Sequence, residues 1–446
     1  MSNFPIDTLS GIDPVSIPDF MSREGMRALQ LTKLKKLVKT CYERVPLTRR
    51  RMDEKGVKPE DIKSLEDIKL LPFMMKTDLR DEYPTGLAAA PMSEIVRFHC
   101  SSGTTGKPIV ICNTKNDIEV WTDGVARALA MDGIGKDDIL QVSYGYGLFT
   151  GGLGLHYGGE LRGCSVLPTS GGNTERQLML MRDLGVTAIA CTPSYFIHLM
   201  DEAQKKGIDF RRDMKLKHGI FGAEPWTDEM RERIERETGI EAHDIYGLTE
   251  ISGPGVASSC GCHVGLHVFE DHFYPEIIDP DTLEPLPDGE WGELVFSTLD
   301  RTGTPMLRYR TRDITRIIPG VCECGRTIRR IDRISARSDD MLIIRGVNVF
   351  PSQIEAGLMS IDKALPHYHI YVDREGDLDN LEVKIEVTSE TISDDIKSLE
   401  RLRHNIASAI QKIINISIKV TLVEPNSLPR SEGKLNRVTD YRKIKK

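Results

Sequence analysis

From Ile95 to about Ile334 the sequence alternates short apolar runs with glycine-rich turns and helix-like stretches, and this alternation constrains the fold more than any other feature. IVRFHC runs into SSGTTG, DILQVSYGY into GLFTGGLGLHYGG, and VTAIACT into PSYFIHLMDEAQKK. Apolar runs of about four to eight residues have the length of buried strands, and the intervening stretches are long enough to cross back over a sheet as helices. The pattern predicts an α/β fold with parallel strands covered by helices. At 446 residues, 39% of them hydrophobic, the chain can build more than one core and is too apolar for global disorder.

The flanks read differently. Leu29, Leu31, Leu34, Leu37 and Val38 fall near one face of a basic helix that runs into CYERVPLTRR, and its charged face is expected to be solvated. Beyond Ile334, SARSDDMLIIRG turns into a new unit. HYHIYVDREGDLDNLEVKIEV reads as two strands about a polar turn, and IKVTLVE as a third. Between them Ile396, Leu399, Leu402, Ile406, Ile410 and Ile413 recur at helical spacing. The expected organisation is a large α/β domain over residues 1–337 and a small α+β domain over 338–446.

Charge narrows the function classes. Lys and Arg number 59 against 67 Asp and Glu, a net charge of −8, and no basic block offers a footprint for nucleic acid. No run approaches the roughly 18 apolar residues of a membrane span, and MSNFPIDTLSGIDP lacks a signal pattern, so a cytoplasmic location is expected with no membrane partner. Of nine cysteines, Cys41, Cys100, Cys112, Cys164 and Cys191 read as small core residues. The other four form two close pairs, Cys260/Cys262 and Cys322/Cys324.

The strongest local signal is Ser101-Ser102-Gly103-Thr104-Thr105-Gly106-Lys107-Pro108, directly after a predicted strand. Small residues let backbone N–H groups converge on an anion, while hydroxyls and Lys107 add donors and charge. The glycine spacing is not that of a Walker loop, and Pro108 occupies the position of its magnesium-binding hydroxyl. Further signals follow in Gly222-Ala223-Glu224-Pro225, Tyr246-Gly247-Leu248-Thr249-Glu250, Tyr309-Arg310-Thr311-Arg312-Asp313 and Pro429-Arg430-Ser431-Glu432-Gly433-Lys434.

In these motifs, taken in this order, the sequence resembles the acyl-adenylate-forming (AMP-binding) enzymes. YGYGLFTGGLGLHYG (144–158), EDHFYPEIIDP (270–280), RYRTRD (308–313) and SDDMLIIRGVNVFPSQIE (338–355) narrow the resemblance to the phenylacetate–coenzyme A ligase branch. The resemblance spans roughly residues 20 to 440. It implies a ligase that joins phenylacetate or a related aryl acid to coenzyme A through an acyl-adenylate, consuming ATP and Mg²⁺ and releasing AMP. An enzyme that hands the acyl group to a carrier protein is the alternative, and a homodimer is admitted.

The same resemblance distributes roles. The Ser101–Lys107 loop would orient the β- and γ-phosphates, with Thr249 a phosphate contact and Glu250 a magnesium ligand, a hard oxygen donor of the kind Mg²⁺ prefers. The 222–225 turn, Asp244, Tyr246 and Gly247 would enclose the adenine, and Asp313 would accept both ribose hydroxyls. A salt bridge from Asp313 to Arg310 or Arg312 is the competing reading. Arg337 would reach the ribose, although Ala336 stands where the family has glycine. Lys434 would be the catalytic lysine of a lid hinged at Asp339, rather than an ordinary exposed lysine, and Gly346 would lie on the thiol's path. Tyr144, Phe149 and Gly151 would line the aryl pocket, narrowed by Leu155, with core packing the plain alternative for Phe149. Members of this branch carry a structural zinc, which here implies Cys260, His267, Cys322 and Cys324, with Cys262 as a substitute for Cys260.

Overall fold

The computed structural model describes residues 12–101, 108–334, 336–337, 342–345, 347–361, 367–375, 378–388, 396–414, 416–425, 427–428 and 437–444. Strand Glu241–Leu248 is the middle of a nine-stranded sheet. On one side follow His218–Gly222, Ala188–Cys191, Ile139–Val142 and Ser165–Leu167, all parallel. All four residues of Ala188–Cys191 are buried, as a strand covered on both faces requires. On the other side Gly253–Ser258, Leu266–Val268, Arg330–Ile331 and Ile317–Ile318 extend the sheet antiparallel. The parallel half is the part that the alternation of runs predicts. The antiparallel half lacks crossover helices and so leaves no such signature.

Helix Lys115–Met131 lies across this junction. Thr114 caps it, accepting from Asp117 N at 3.3 Å while the Asp117 carboxylate accepts from Thr114 N at 2.9 Å. The helix packs on strand Gly253–Ser258 so closely that a Cβ at Gly124 would lie 2.3 Å from the carbonyl oxygen of Gly255. Gly255 itself has φ +91°, a conformation that other residues rarely adopt. Helices Thr174–Leu184, Pro193–Lys205 and Asp228–Thr238 bury a second core around Phe196, Phe221, Met230 and Ile234. Each of those side chains, taken from water, contributes about 1.5–3 kcal/mol.

A second, antiparallel sheet orders Phe273–Ile278, Gly292–Thr298, Tyr309–Thr315 and Ala336–Arg337. The C-terminal unit has a sheet of its own. Hairpin Tyr368–Glu375/Leu378–Glu386 is flanked by Val438–Asp440 and Lys419–Val423, each parallel to its neighbour. Helices Pro351–Met359 and Ile396–Ile414 cover it, burying Ile354, Leu358, Leu402, Ile406 and Ile410. Met359 touches both this core and the one around Phe196.

The N-terminal basic helix, Arg23–Arg44, departs from expectation. It buries Met26, Gln30, Leu34, Leu37, Val38 and Cys41, whereas Leu29 and Leu31 are only half-buried. Its charged face is not simply solvated. Arg23 pairs with Glu270, Lys33 Nζ reaches Asp271 O at 2.8 Å, and Gln30 Nε2 donates to Glu270 O at 3.0 Å. The acidic start of EDHFYPEIIDP draws the helix in, a partnership between segments about 240 residues apart that periodicity within the helix does not record.

Candidate active site

The candidate residues gather at the carboxyl ends of the parallel strands, where open α/β sheets leave a crevice. Strand His218–Gly222 ends in the 222–225 turn, with Ala223 at φ +69° and Glu224 Oε1 accepting from Ser194 N at 2.8 Å. Tyr144 is buried, and its hydroxyl donates to Cys191 O at 2.6 Å and lies 3.2 Å from Gly222 O, tying together the ends of two strands. Phe149 is exposed and does not pack in the core. Gly151, at the start of helix Gly151–Leu161, lies beside Phe149 and Tyr144. Leu155 is fully buried in the main core, so it narrows no open pocket.

Strand Glu241–Leu248 carries the next group. Gly247 is obligatory, because a Cβ there would fall 1.6 Å from Gly253 O. Asp244 N donates to Ser259 Oγ at 2.8 Å, and desolvation pushes the Asp244 carboxyl up to about 6 against the pull of Arg333. Tyr246 donates its hydroxyl to Asp313 Oδ2 at 2.6 Å, joining the large sheet to strand Tyr309–Thr315 of the second. Arg310 and Arg312 do not take Asp313: Arg310 Nη2 sits 2.7 Å and Arg312 Nη1 3.3 Å from Glu293 Oε2. Arg308 is likewise held by Glu276 at 2.8 Å. EDHFYPEIIDP and RYRTRD are therefore partly one buried ion-pair network, in which Glu276 and Glu293 rather than Asp313 hold the three arginines.

Thr249 and Glu250 follow at the strand's end, both buried. Two residues that the motifs do not single out hold Glu250. Lys76 Nζ stands 2.9 Å from Glu250 Oε1. Arg301, buried, donates to Glu250 O at 3.2 Å and to Ile251 O, and reaches Asn113 Oδ1 at 2.8 Å. Neither lysine nor arginine carries a spacing signal, since each acts across a long separation in sequence.

Ser101 follows strand Ile95–Cys100, whose end is tied to the 144–151 segment through Cys100 N to Leu148 O at 3.1 Å. Ser102, Gly103, Thr104, Thr105, Gly106, Lys107, Asp339, Gly346 and Lys434 lie outside the described residues. Arg337 belongs to strand Ala336–Arg337, its backbone paired opposite Asp313. Three residues after Lys434 in the sequence, Arg437 Nη1 pairs with Glu355 at 2.9 Å and its guanidinium stacks 4.5 Å from the Tyr368 ring centroid.

Cys260, His267, Cys322 and Cys324 converge, their donor atoms all within 4.8 Å of one another. Cys260 Sγ is 3.7 Å from Cys322 Sγ, and Cys324 Sγ is 3.5 Å from His267 Nε2. Cys262 is not in this group.

Comparison with known proteins agrees with this geometry. The family model described as AMP-binding enzyme matches residues 26–300, and that described as AMP-binding enzyme C-terminal domain matches 346–442. The chain is similar to the phenylacetate-coenzyme A ligase of Thermus thermophilus, 49% identical over 95% of this chain and 98% of the relative. It is also similar to that of Pseudomonas putida, 50% identical over 97% of each. Among solved structures, 2-hydroxyisobutyryl-CoA ligase in its postadenylation state matches at TM-score 0.89 and 29% identity, covering 96% of this chain and 92% of that one. The same ligase in its thioesterification state matches at TM-score 0.70, again over 96% of this chain and 93% of that one.

Proposed function

Since the chain belongs to the AMP-binding enzymes, in the family of the phenylacetate–coenzyme A ligases, we propose that it activates phenylacetate as the acyl-adenylate and transfers the acyl group to coenzyme A. The observation that carries this reading furthest is the Tyr246–Asp313 contact, which sets an aromatic ring and a buried carboxylate side by side beside Thr249 and Glu250. A ring for a base and two oxygens for a diol are what a nucleoside needs.

The carboxylate of the acid attacks the α-phosphorus of ATP, the bond to the bridging oxygen of pyrophosphate breaks, and the mixed anhydride forms. Both reactants are anionic, so alignment and charge stabilisation supply most of the rate. In the proposed assignment Ser101 to Lys107 hold the outer phosphates and Thr249 a phosphate oxygen, and Glu250 would hold a magnesium ion, which would supply charge neutralisation to the departing pyrophosphate. Lys434 bridges the acid and the α-phosphate. The 222–225 turn, Asp244 and Gly247 frame the adenine, Asp313 and Arg337 the ribose, and Phe149, Gly151 and Tyr144 the aryl ring, with the Tyr144 ring packed behind. The thiol then displaces AMP along a path past Gly346. The division at residue 338 lets the small domain turn about Asp339 between the two steps. Coverage of the two states of 2-hydroxyisobutyryl-CoA ligase is equal while the TM-score falls from 0.89 to 0.70, which supports an arrangement close to the postadenylation one.

For the cysteine cluster we infer a structural zinc. A tetrahedron with ordinary Zn–S and Zn–N bonds has edges of about 3.8 Å between sulfurs and about 3.5 Å from sulfur to nitrogen. The 3.7 Å Cys260–Cys322 and 3.5 Å Cys324–His267 separations match those edges, and all four donor atoms lie within 4.8 Å of one another. Four protein ligands would close the site and fix the loop 320–328 against strand Leu266–Val268.

The deciding assay is AMP release from Mg-ATP and phenylacetate, with and without coenzyme A. AMP and phenylacetyl–coenzyme A formed together are expected. Adenylate without thioester would move the acceptor to a carrier protein, and no turnover with any aryl acid would overturn the reading. Light scattering of the intact protein tests the homodimer.

A further inference from the structure

The strands that deliver the cleft residues begin, at their other ends, in a second cluster. His218 opens strand His218–Gly222 and Glu241 opens strand Glu241–Leu248, and the parallel register sets the two side by side. His243 lies two residues beyond Glu241, on the same face of its strand. Glu241 Oε2 is 3.9 Å from His218 Nδ1 and 3.8 Å from His243 Nε2, and one donor atom from each of the three residues falls within 4.8 Å of the others.

Two features separate this cluster from an accidental surface group. His243 is 1% exposed, yet Nε2 has no hydrogen-bond partner, and neither has the buried Nδ1 of His218. An unsatisfied buried polar atom costs about 1–3 kcal/mol, so two aimed at one point need a shared partner. Behind His243, Asp132 places Oδ1 3.0 Å from Nδ1, an ion-pair approach in which Nδ1 and both carboxylate oxygens are buried with no hydrogen bond of regular geometry. A carboxylate on the far nitrogen of an imidazole fixes the tautomer that leaves the near nitrogen free to ligate, the arrangement found behind histidine ligands of metals.

We propose that His218, Glu241 and His243 form a second divalent transition-metal site, with Asp132 as the positioning residue for His243. Imidazole and carboxylate donors suit Zn²⁺, Co²⁺ or Ni²⁺. A tetrahedral edge between such donors is about 3.4 Å, so a shift of the exposed Glu241 carboxylate by about half an ångström closes its two edges, and the imidazole donors, within 4.8 Å of each other, close the third by ring rotation. Three protein ligands leave one position for water, unlike the four-ligand cysteine cluster. The metal would clamp two strands at the end of the sheet remote from the cleft.

The site is tested with Co²⁺ added to the intact protein as purified, against the double variant His218→Gln/Glu241→Gln. One equivalent of cobalt is expected to bind with visible d–d absorption and no thiolate charge-transfer band, which distinguishes it from metal at the cysteine cluster whatever occupies that cluster. The variant, with unchanged melting temperature in chelator, is expected to bind Co²⁺ at least 100-fold more weakly. Equal affinity in the variant, or cobalt signals of thiolate type alone, would overturn the proposal.

Discussion

At Asp313 the choice of partners separates a structural acid from a candidate nucleotide-binding one. Arg308 and Arg312 adopt left-handed backbone at φ +49° and +68°, and buried carboxylates hold both side chains. With Arg310 and Arg312 engaged by Glu293, the Tyr246 hydroxyl is one partner of the Asp313 carboxylate. A hydrogen bond to a carboxylate is worth about 1.5–3 kcal/mol. Tyr246→Phe is therefore expected to lower kcat/KM for ATP by about 10–100-fold, measured in steady state with saturating acid. An unchanged value would remove the pair from the nucleotide site. Lys434→Ala is expected to abolish adenylation almost completely while leaving the reaction of preformed phenylacetyl-adenylate with coenzyme A intact. Equal loss in both half-reactions, followed separately, would sink that division of labour.

Between elements, charge pairs fasten segments that the periodicity of each element leaves independent. His272, the third residue of EDHFYPEIIDP, meets Asp300 at 2.7 Å, Asp123 of helix Lys115–Met131 at 3.1 Å and Asp271 at 3.4 Å. Burial opposes its protonation, but these carboxylates prevail and raise it from 6.5 to about 9. Protonated His272 thus stabilises the fold fully below about pH 6.5, and that contribution of about 3 kcal/mol is lost as pH rises through 9. Urea unfolding at pH 6 and pH 9.5 is expected to show the drop in the natural protein and a flatter profile in His272→Gln. Identical pH slopes would exclude the histidine as the cause. The cysteine cluster joins a different pair of elements. Cys322→Ser is expected to lose one zinc per chain by metal analysis and on the order of 3 kcal/mol of stability. Chelation should lower the melting temperature of the natural protein but not of the variant.

Over the whole molecule the most demanding group is Arg127, whose side chain is fully buried. Its guanidinium lies 2.5 Å from Asp19 and 2.9 Å from Asp271, and 4.5 Å over the Phe269 ring. It connects the N-terminal segment, the central helix and the EDH motif. Removing it leaves buried Asp19 to Arg326 and buried Asp271 to His272 alone, so Arg127→Met is expected to cost about 3 kcal/mol in denaturant unfolding. A cost under about 1 kcal/mol would mean that water replaces the guanidinium. Among the described residues no helix is long and apolar enough to cross a membrane.

What the sequence determined by itself was local or carried by order along the chain. Four-residue runs such as Ala188–Cys191 announce buried strands because burial on both faces leaves only apolar choices. The spacing from Leu402 to Ile410 announces helix Ile396–Ile414 because one face must meet a sheet. The ordered motifs pointed to the family, and Cys260, His267, Cys322 and Cys324 were nameable as a group before any coordinate. Only tertiary structure decided that Lys76 and Arg301 brace Glu250, that Glu293 claims the arginines beside Asp313, and that Leu155 belongs to the core. It also decided that His218, Glu241, His243 and Asp132 share one corner. The reason is physical: periodicity records which face of an element is buried, whereas an ion pair or ligand set depends on which distant element is buried against it.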